Sequence, residues 1–227
     1  MAGPSAALRL DTPAGIPAVP PSAVGDLRRD LRLIAEMIEP GARVLDIGCG
    51  DGALLAFLAR EKAVDARGIE LSQSGVNACV RHGLSVIQGD ADRDLDAFPA
   101  GAFDVVVLSQ TLQATRQPRH VVEALVRIGK RAIVSFPNFG FWRIRLGLLW
   151  RGRMPVSELL SNSWYETPNI HLCTIRDFVA LCDELGIRIE QSLSLDRHGR
   201  PFALDPRGRL ANLLAEQAVF VLSERRG

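Results

Sequence analysis

Apolar positions along the chain change period in a regular order. Leu27, Leu31, Ile34 and Ile38 recur every three or four residues and predict an amphipathic helix that Pro40-Gly41 ends. Short apolar runs and helical stretches then alternate. Strands are predicted at Arg43–Ile47, Ala66–Glu70, Ser85–Gln88, Phe103–Ser109 and Arg131–Phe136. Helices are predicted at Ala53–Glu61, Ser74–Arg81 and from Pro118 to about Ile128. Near-continuous apolar strands separated by helices indicate a parallel sheet covered on both faces. The alternation lapses after Pro137. It resumes with a helix over Thr174–Leu185, whose inner face is Phe178, Leu181, Cys182 and Leu185, and two closing strands, Arg188–Leu193 and Gln217–Leu222. The expected fold class is α/β: a Rossmann-like, doubly wound, mostly parallel seven-stranded sheet with helices on both faces.

Composition narrows this only slightly. The chain has 227 residues and a formal net charge of +1, enough for one sizeable core and without a global field that would recruit nucleic acid or acidic lipid. Residues 1–24, with prolines at 4, 13, 17, 20 and 21, read as a flexible tail ahead of a single domain over 25–227. No run reaches the length of a membrane span. The four cysteines at 49, 79, 173 and 182 form no CxxC pair, and the histidines at 82, 120, 171 and 198 lack metal-ligand spacing. A reduced, cytoplasmic setting and no metal site are expected.

The chemistry concentrates in Val44-Leu45-Asp46-Ile47-Gly48-Cys49-Gly50-Asp51-Gly52, where a strand meets a helix through three glycines. Glycine permits the turn and lets a ligand approach bare backbone. The spacing is G-x-G-x-G, whereas a dinucleotide loop prefers G-x-G-x-x-G and has no use for an aspartate at 51 where phosphate would sit. Glu70 ends the second strand, where a carboxylate can accept ribose hydroxyls, with Leu71 beside it. Asp90 and Ala91 follow the third strand, near where a base would lie, and Asp46 can orient the loop or meet an ammonium group through water. A nucleoside carrying a sulfonium is therefore expected, with a dinucleotide or an empty vestigial site as the alternatives.

These blocks, followed by FDVVVLSQTLQ, resemble the class I S-adenosylmethionine-dependent methyltransferases. RVLDIGCGDGALL, RGIELSQSGVNACVRHGLSVIQGDAD, FDVVVLSQTLQA, AIVSFPNFGFWRIRL and WYETPNIHLCTIRDF together resemble, more narrowly, the MetW family of methionine biosynthesis proteins. The resemblance implies S-adenosylmethionine or S-adenosylhomocysteine as the ligand. It places Asp46, Gly48, Gly50 and Gly52 in the cofactor loop, Glu70 at the ribose, and Asp90 with Ala91 at the adenine; Cys49, Leu71 and Ser109 are further cofactor-binding candidates from their places beside these elements. It also implies that the protein assists a homoserine O-acyltransferase, a role that composition and spacing do not reveal.

Catalytic assignments stay open. Ser109, Gln110 and Thr111 follow the fourth strand and either face the methyl-bearing side or pack the loop. In the insertion over 137–173, His171 can act as a base near neutral pH and Glu166 can orient it or hold a cation; both serve equally as cap residues. Phe139, Phe141, Trp142, Ile144, Leu146, Leu148, Leu149 and Trp150, interspersed with arginines, exceed one helical stripe. That segment is buried under a cap, binds a partner, or touches a membrane. An independent small-molecule methyltransferase is the alternative to the accessory role, and a homo-oligomer is compatible with either.

Overall fold

The computed structural model describes residues 27–154, 156 and 163–225. The expected tail over 1–24 and insertion residues 155 and 157–162 lie outside the described residues.

Eight strands form one sheet: β1 (Arg43–Ile47), β2 (Asp65–Glu70), β3 (Ser85–Gln88), β4 (Phe103–Ser109), β5 (Gly129–Pro137), β6 (Arg188–Leu195), β7 (Pro201–Phe202) and β8 (Gln217–Ser223). Their order is β3-β2-β1-β4-β5-β8-β6-β7, with β3 through β5 parallel and β8 antiparallel to both neighbours. The expected α/β class holds. The eighth strand is the two-residue β7, inside the segment 196–209 that the sequence marks as loop. β8 lies between β5 and β6. Its burial explains the position, because six of its seven residues are buried and an edge would leave their backbone unpaired.

Among the described residues seven α-helices accompany the sheet: α1 (Arg29–Glu36), α2 (Ala53–Lys62), α3 (Gln73–Arg81), α4 (Pro118–Ile128), α5 (Trp142–Arg151), α6 (Ile175–Glu184) and α7 (Arg209–Leu214). Side chains alternate across the sheet. Leu45, Ile47, Val106 and Leu108 face α4 and α6, whereas Val44, Val105 and Val107 face α1 and α2. Phe136, Phe178 and Phe220 meet on the first face with ring centroids 4.8–5.8 Å apart. Thr174 and Asp177 close a reciprocal capping box on α6. Asn138, fully buried after β5, donates to the carbonyls of Asn212 and Ala215 and accepts from the amides of Gly140 and Ile175. One side chain thus ties the insertion to α6 and α7.

Candidate functional site

The carboxyl ends of β1 to β4 converge on one rim, the usual ligand side of an open α/β sheet. Gly48, Gly50 and Gly52 all hold positive φ, at 72°, 59° and 81°. The amides of Gly48 and Cys49 both donate to the Ile69 carbonyl, locking the loop to β2. The three glycines serve different ends. A Cβ on Gly48 would lie 2.5 Å from Thr111 Oγ1, and one on Gly52 would strike Leu84 and Cys79. A Cβ on Gly50 would meet nothing within 4 Å, so its open face is where a ligand can reach the backbone.

Glu70 clasps this loop to α3. Oε2 accepts from the Gly50 amide at 2.8 Å, and Oε1 accepts from the Ser72 amide and hydroxyl at 2.9 and 2.8 Å. Ser72 in turn caps α3 through the Gly75 amide. Position 75 must be glycine because a Cβ there would lie 2.7 Å from Glu70 Cγ and 2.8 Å from the Gly50 carbonyl oxygen. Leu71, 65% exposed, is an open apolar wall beside the carboxylate. The Gly89 amide donates to the Glu70 carbonyl, bringing the turn with Asp90 and Ala91 alongside. Asp90 Oδ1 accepts from the Asp92 amide. Asp92 reaches across to accept from the amides of Arg116 and Gln117, capping the approach to α4.

Asp46 shares the parity of Val44 and faces α1, where it is buried. Burial pushes its pKa up to about 7, opposed by the Arg28 guanidinium and reinforced by Glu70. Cys79 donates from Sγ to the Gly50 carbonyl at 3.4 Å. Burial raises the pKa of both Cys49 and Cys79, so they stay protonated and act as packing groups, as the sequence suggests.

Past β4, Ser109 Oγ lies 3.1 Å from Ser135 Oγ, and Thr111 Oγ1 donates to the Ser109 carbonyl. Gln110 adopts φ +54°, uncommon for a residue with a side chain. Its backbone is pinned by the Ser135 carbonyl and the Gln113 amide group, while its own Nε2 is buried without a hydrogen-bond partner among the described residues. The Gln113 carbonyl accepts from the amides of Ile170 and His171, holding the returning insertion against the rim. The His171 side chain is exposed. Glu166 accepts from the Ser163 hydroxyl, and among the described residues no ion pair joins it to His171.

The rim brings Asp46, Gly48, Cys49, Gly50, Gly52, Glu70, Leu71, Asp90, Ala91, Ser109 and Gln110 to adjoining strand ends. Sequence reading passed over Ser72, Asp92 and Gln113. Ser72 was findable as an N-cap immediately before α3; the other two act on partners remote in sequence or on backbone, and leave no local mark. The donor set has a clear preference. The carboxylates of Glu70, Asp51 and Asp90 at this rim suit hydroxyl, amino and cationic groups and repel a pyrophosphate. Asp51 Oδ1 already accepts from the Ala53 amide at the start of α2, a group an anion would need. A ribose, an exocyclic amine and a sulfonium with its ammonium fit this set. A surface cleft of about 1120 Å³ lies at the opposite ends of the strands among Asp104, Arg127, Lys130 and Arg188, and takes no part in the rim.

Over residues 28–222 the chain matches the family described as methionine biosynthesis protein MetW. It is 33% identical over 203 residues to the bifunctional methionine biosynthesis protein MetXA/MetW of Rhodopirellula baltica, covering 86% of this chain and 32% of that protein. The chain spans about a third to a half of the curated relatives it matches. Among solved structures, an S-adenosylmethionine-dependent methyltransferase of Mesorhizobium loti superposes with a TM-score of 0.63 at 15% identity, covering 87% of this chain and 98% of that one. The [4+2]-cyclase SpnF superposes with a TM-score of 0.62 at 20% identity, covering 88% and 82%. These likenesses establish the methyltransferase fold. The cyclase shows that the fold by itself does not specify the reaction.

Proposed function

The chain belongs to the MetW family of methionine biosynthesis proteins, and from that premise we propose that it binds S-adenosylmethionine or S-adenosylhomocysteine at the rim of β1 to β4 and assists a homoserine O-acyltransferase in the cytoplasm. The observation that carries the ligand assignment is the clasp between Glu70 and the Gly50 amide beside an open glycine face. Glu70 uses three of about four acceptor positions. A vicinal diol binds by turning away the Ser72 hydroxyl, while the two backbone amides keep the carboxylate aimed. Leu71 and Ala91 supply apolar contact for a base, and Asp90 an acceptor for its amine. Asp46 and the loop lie toward the amino-acid end of the ligand. The bound cofactor supplies an electrophilic methyl group; the residues described here hold and orient it.

Support for the partner is the fusion relative, whose name joins MetXA and MetW in one chain. We read its MetXA portion as the acyltransferase that works beside a free-standing MetW. Calorimetric titration of the full chain with both cofactor forms tests the ligand, and Glu70→Ala should weaken either by at least about tenfold. Unchanged affinity in a folded Glu70→Ala protein would refute the assignment. Assaying homoserine acylation with and without the chain tests the role; an unaltered rate and no complex would remove it.

An independent methyltransferase remains the second reading, favoured by the buried, unpartnered amide of Gln110 at the end of β4. It requires S-adenosylhomocysteine to form only when an acceptor is added. Absence of turnover with native metabolite extracts would count against it.

A further inference from the structure

Helix α5 is apolar on two opposite sides, and only one of them is packed. Ile144 points inward and is 8% exposed, clustered with Phe141 and Phe139. At 100° per residue, Trp142, Leu146, Leu149 and Trp150 fall on the far side, at positions i, i+4, i+7 and i+8. Leu149 and Trp150 are 75% and 78% exposed, so this stripe faces solvent. Arg143 and Arg145 border it, one on each side. Among the described residues neither makes an ion pair: the Arg143 guanidinium sits 5.8 Å from the centroid of the Trp142 ring, and Arg145 donates to the Gly140 carbonyl. Trp142, Leu146 and Trp150 also line a surface cleft of about 690 Å³, together with Phe141, Ile144, Met154 and Val156.

We infer that this outer stripe of α5 docks the chain onto its acyltransferase, entering an apolar groove whose two rims are acidic. The inference rests on the partner reading above and assigns the surface. Four apolar side chains at this spacing are the anchors of a helix laid in a groove, and tryptophan and arginine are the residues that dominate such contacts. The charge pattern selects the occupant. Arginines on both flanks call for carboxylates on both rims, which a second copy does not offer, because self-pairing of the stripe sets arginine against arginine. A bilayer fits less well. The fusion relative points to a protein partner, and Arg151 and Arg153 beside the cleft make contact with anionic lipid an outcome of the test. None of the residues lining this cleft belongs to the ligand rim, so the stripe variants leave the rim's own side chains in place.

The test is the dissociation constant of the purified full chain for the homoserine O-acyltransferase of the same organism, by interferometry, with S-adenosylmethionine affinity and thermal unfolding as checks of fold. Trp150→Ala and Leu149→Asp should each weaken the complex by at least about 30-fold. Arg143→Glu should weaken it at low salt and approach wild type at high salt. Val80→Ser, an exposed apolar position on α3, should bind as wild type does. If wild type binds and the stripe variants bind equally well, the docking surface is wrong and the partner reading stands. If wild type does not bind, the partner reading fails and the docking assignment falls with it. Stripe-dependent self-association in ultracentrifugation, or stripe-dependent binding to phosphatidylglycerol vesicles, would equally overturn it by giving the stripe another occupant.

Discussion

Replacing Asp46 by asparagine should stabilise the protein, and more so as pH rises. Asp46 sits 3% exposed beneath α1, with its pKa lifted from 3.8 to about 7 chiefly by burial. Below pH 4 the carboxyl is protonated in both folded and unfolded chains, and its contribution to stability is fully present. Between pH 4 and 7 the unfolded chain releases the proton and the folded chain keeps it, so stability falls as pH rises. Above pH 7 the accumulated loss is about 4 kcal/mol, at about 1.4 kcal/mol per pH unit of the gap. Asparagine keeps the shape and cannot ionise. The difference in unfolding free energy between Asp46→Asn and wild type should therefore grow by about 2–3 kcal/mol from pH 5 to pH 8. Urea unfolding of both proteins at four pH values reads this directly. Parallel profiles would refute the reasoning, since they would mean that Asp46 is ionised in the fold with an ordinary pKa. Arg28→Ala offers a second check: removing the guanidinium that opposes the rise should extend the pH-dependent window upward.

Other outcomes follow from the same contacts. Gly48→Ala should cost more than the roughly 1–2 kcal/mol of a positive-φ alanine, because its Cβ meets Thr111; adding Thr111→Ser should recover part of the loss in thermal unfolding. Gly50→Ala should cost only that backbone amount, since its Cβ meets nothing, yet weaken S-adenosylmethionine in calorimetry; equal losses at both positions would argue against an open ligand face. Phe178→Ala should destabilise by about 3–5 kcal/mol in urea, as it empties the centre of the three-phenylalanine contact.

The predicted strands β1 to β5 match the structure to within two residues at either end: β1, β4 and β5 are largely buried apolar runs, and the more exposed β2 and β3 are delimited by the helix and glycine turns around them. The same physics hides β7 and α7. Arg209–Leu214 is six residues long and follows a stretch rich in glycine, proline and charge. What anchors it is remote: Asn138 reaches the Asn212 and Ala215 carbonyls across 74 and 77 residues. Strand order is equally invisible to periodicity. Nothing in Gln217–Ser223 announces that it inserts between β5 and β6, although its unbroken burial shows why an edge would not serve. In the rim, the glycine loop and Glu70 were legible because turn, strand end and helix start are contiguous in the chain. Asp92 was not, since its carboxylate acts on backbone 24 and 25 residues away. Gln110 gave no sign of its positive φ, because glutamine carries no preference for that region as glycine and asparagine do.

For the segment over residues 139–153 the sequence leaves burial, partner contact and membrane contact open, and the structure divides its apolar residues between a packed side and an exposed one. Its apolar residues are too many for one stripe, and burial and partner contact both account for the excess. The helix resolves them by angle. Phe141 and Ile144 turn toward the body, secured by Asn138 and Gly140, whereas Trp142, Leu149 and Trp150 turn to solvent on the opposite side. Trp142 keeps an edge-on contact with Phe141, but among the described residues Leu149 and Trp150 stay about three-quarters exposed, a cost that the described packing does not recover. Arginines on both borders keep such a surface hydrated while it is free and give it a preferred sign of partner when it is not. That pairing of an apolar stripe with bordering arginines is what the stripe variants and the salt dependence of Arg143→Glu test.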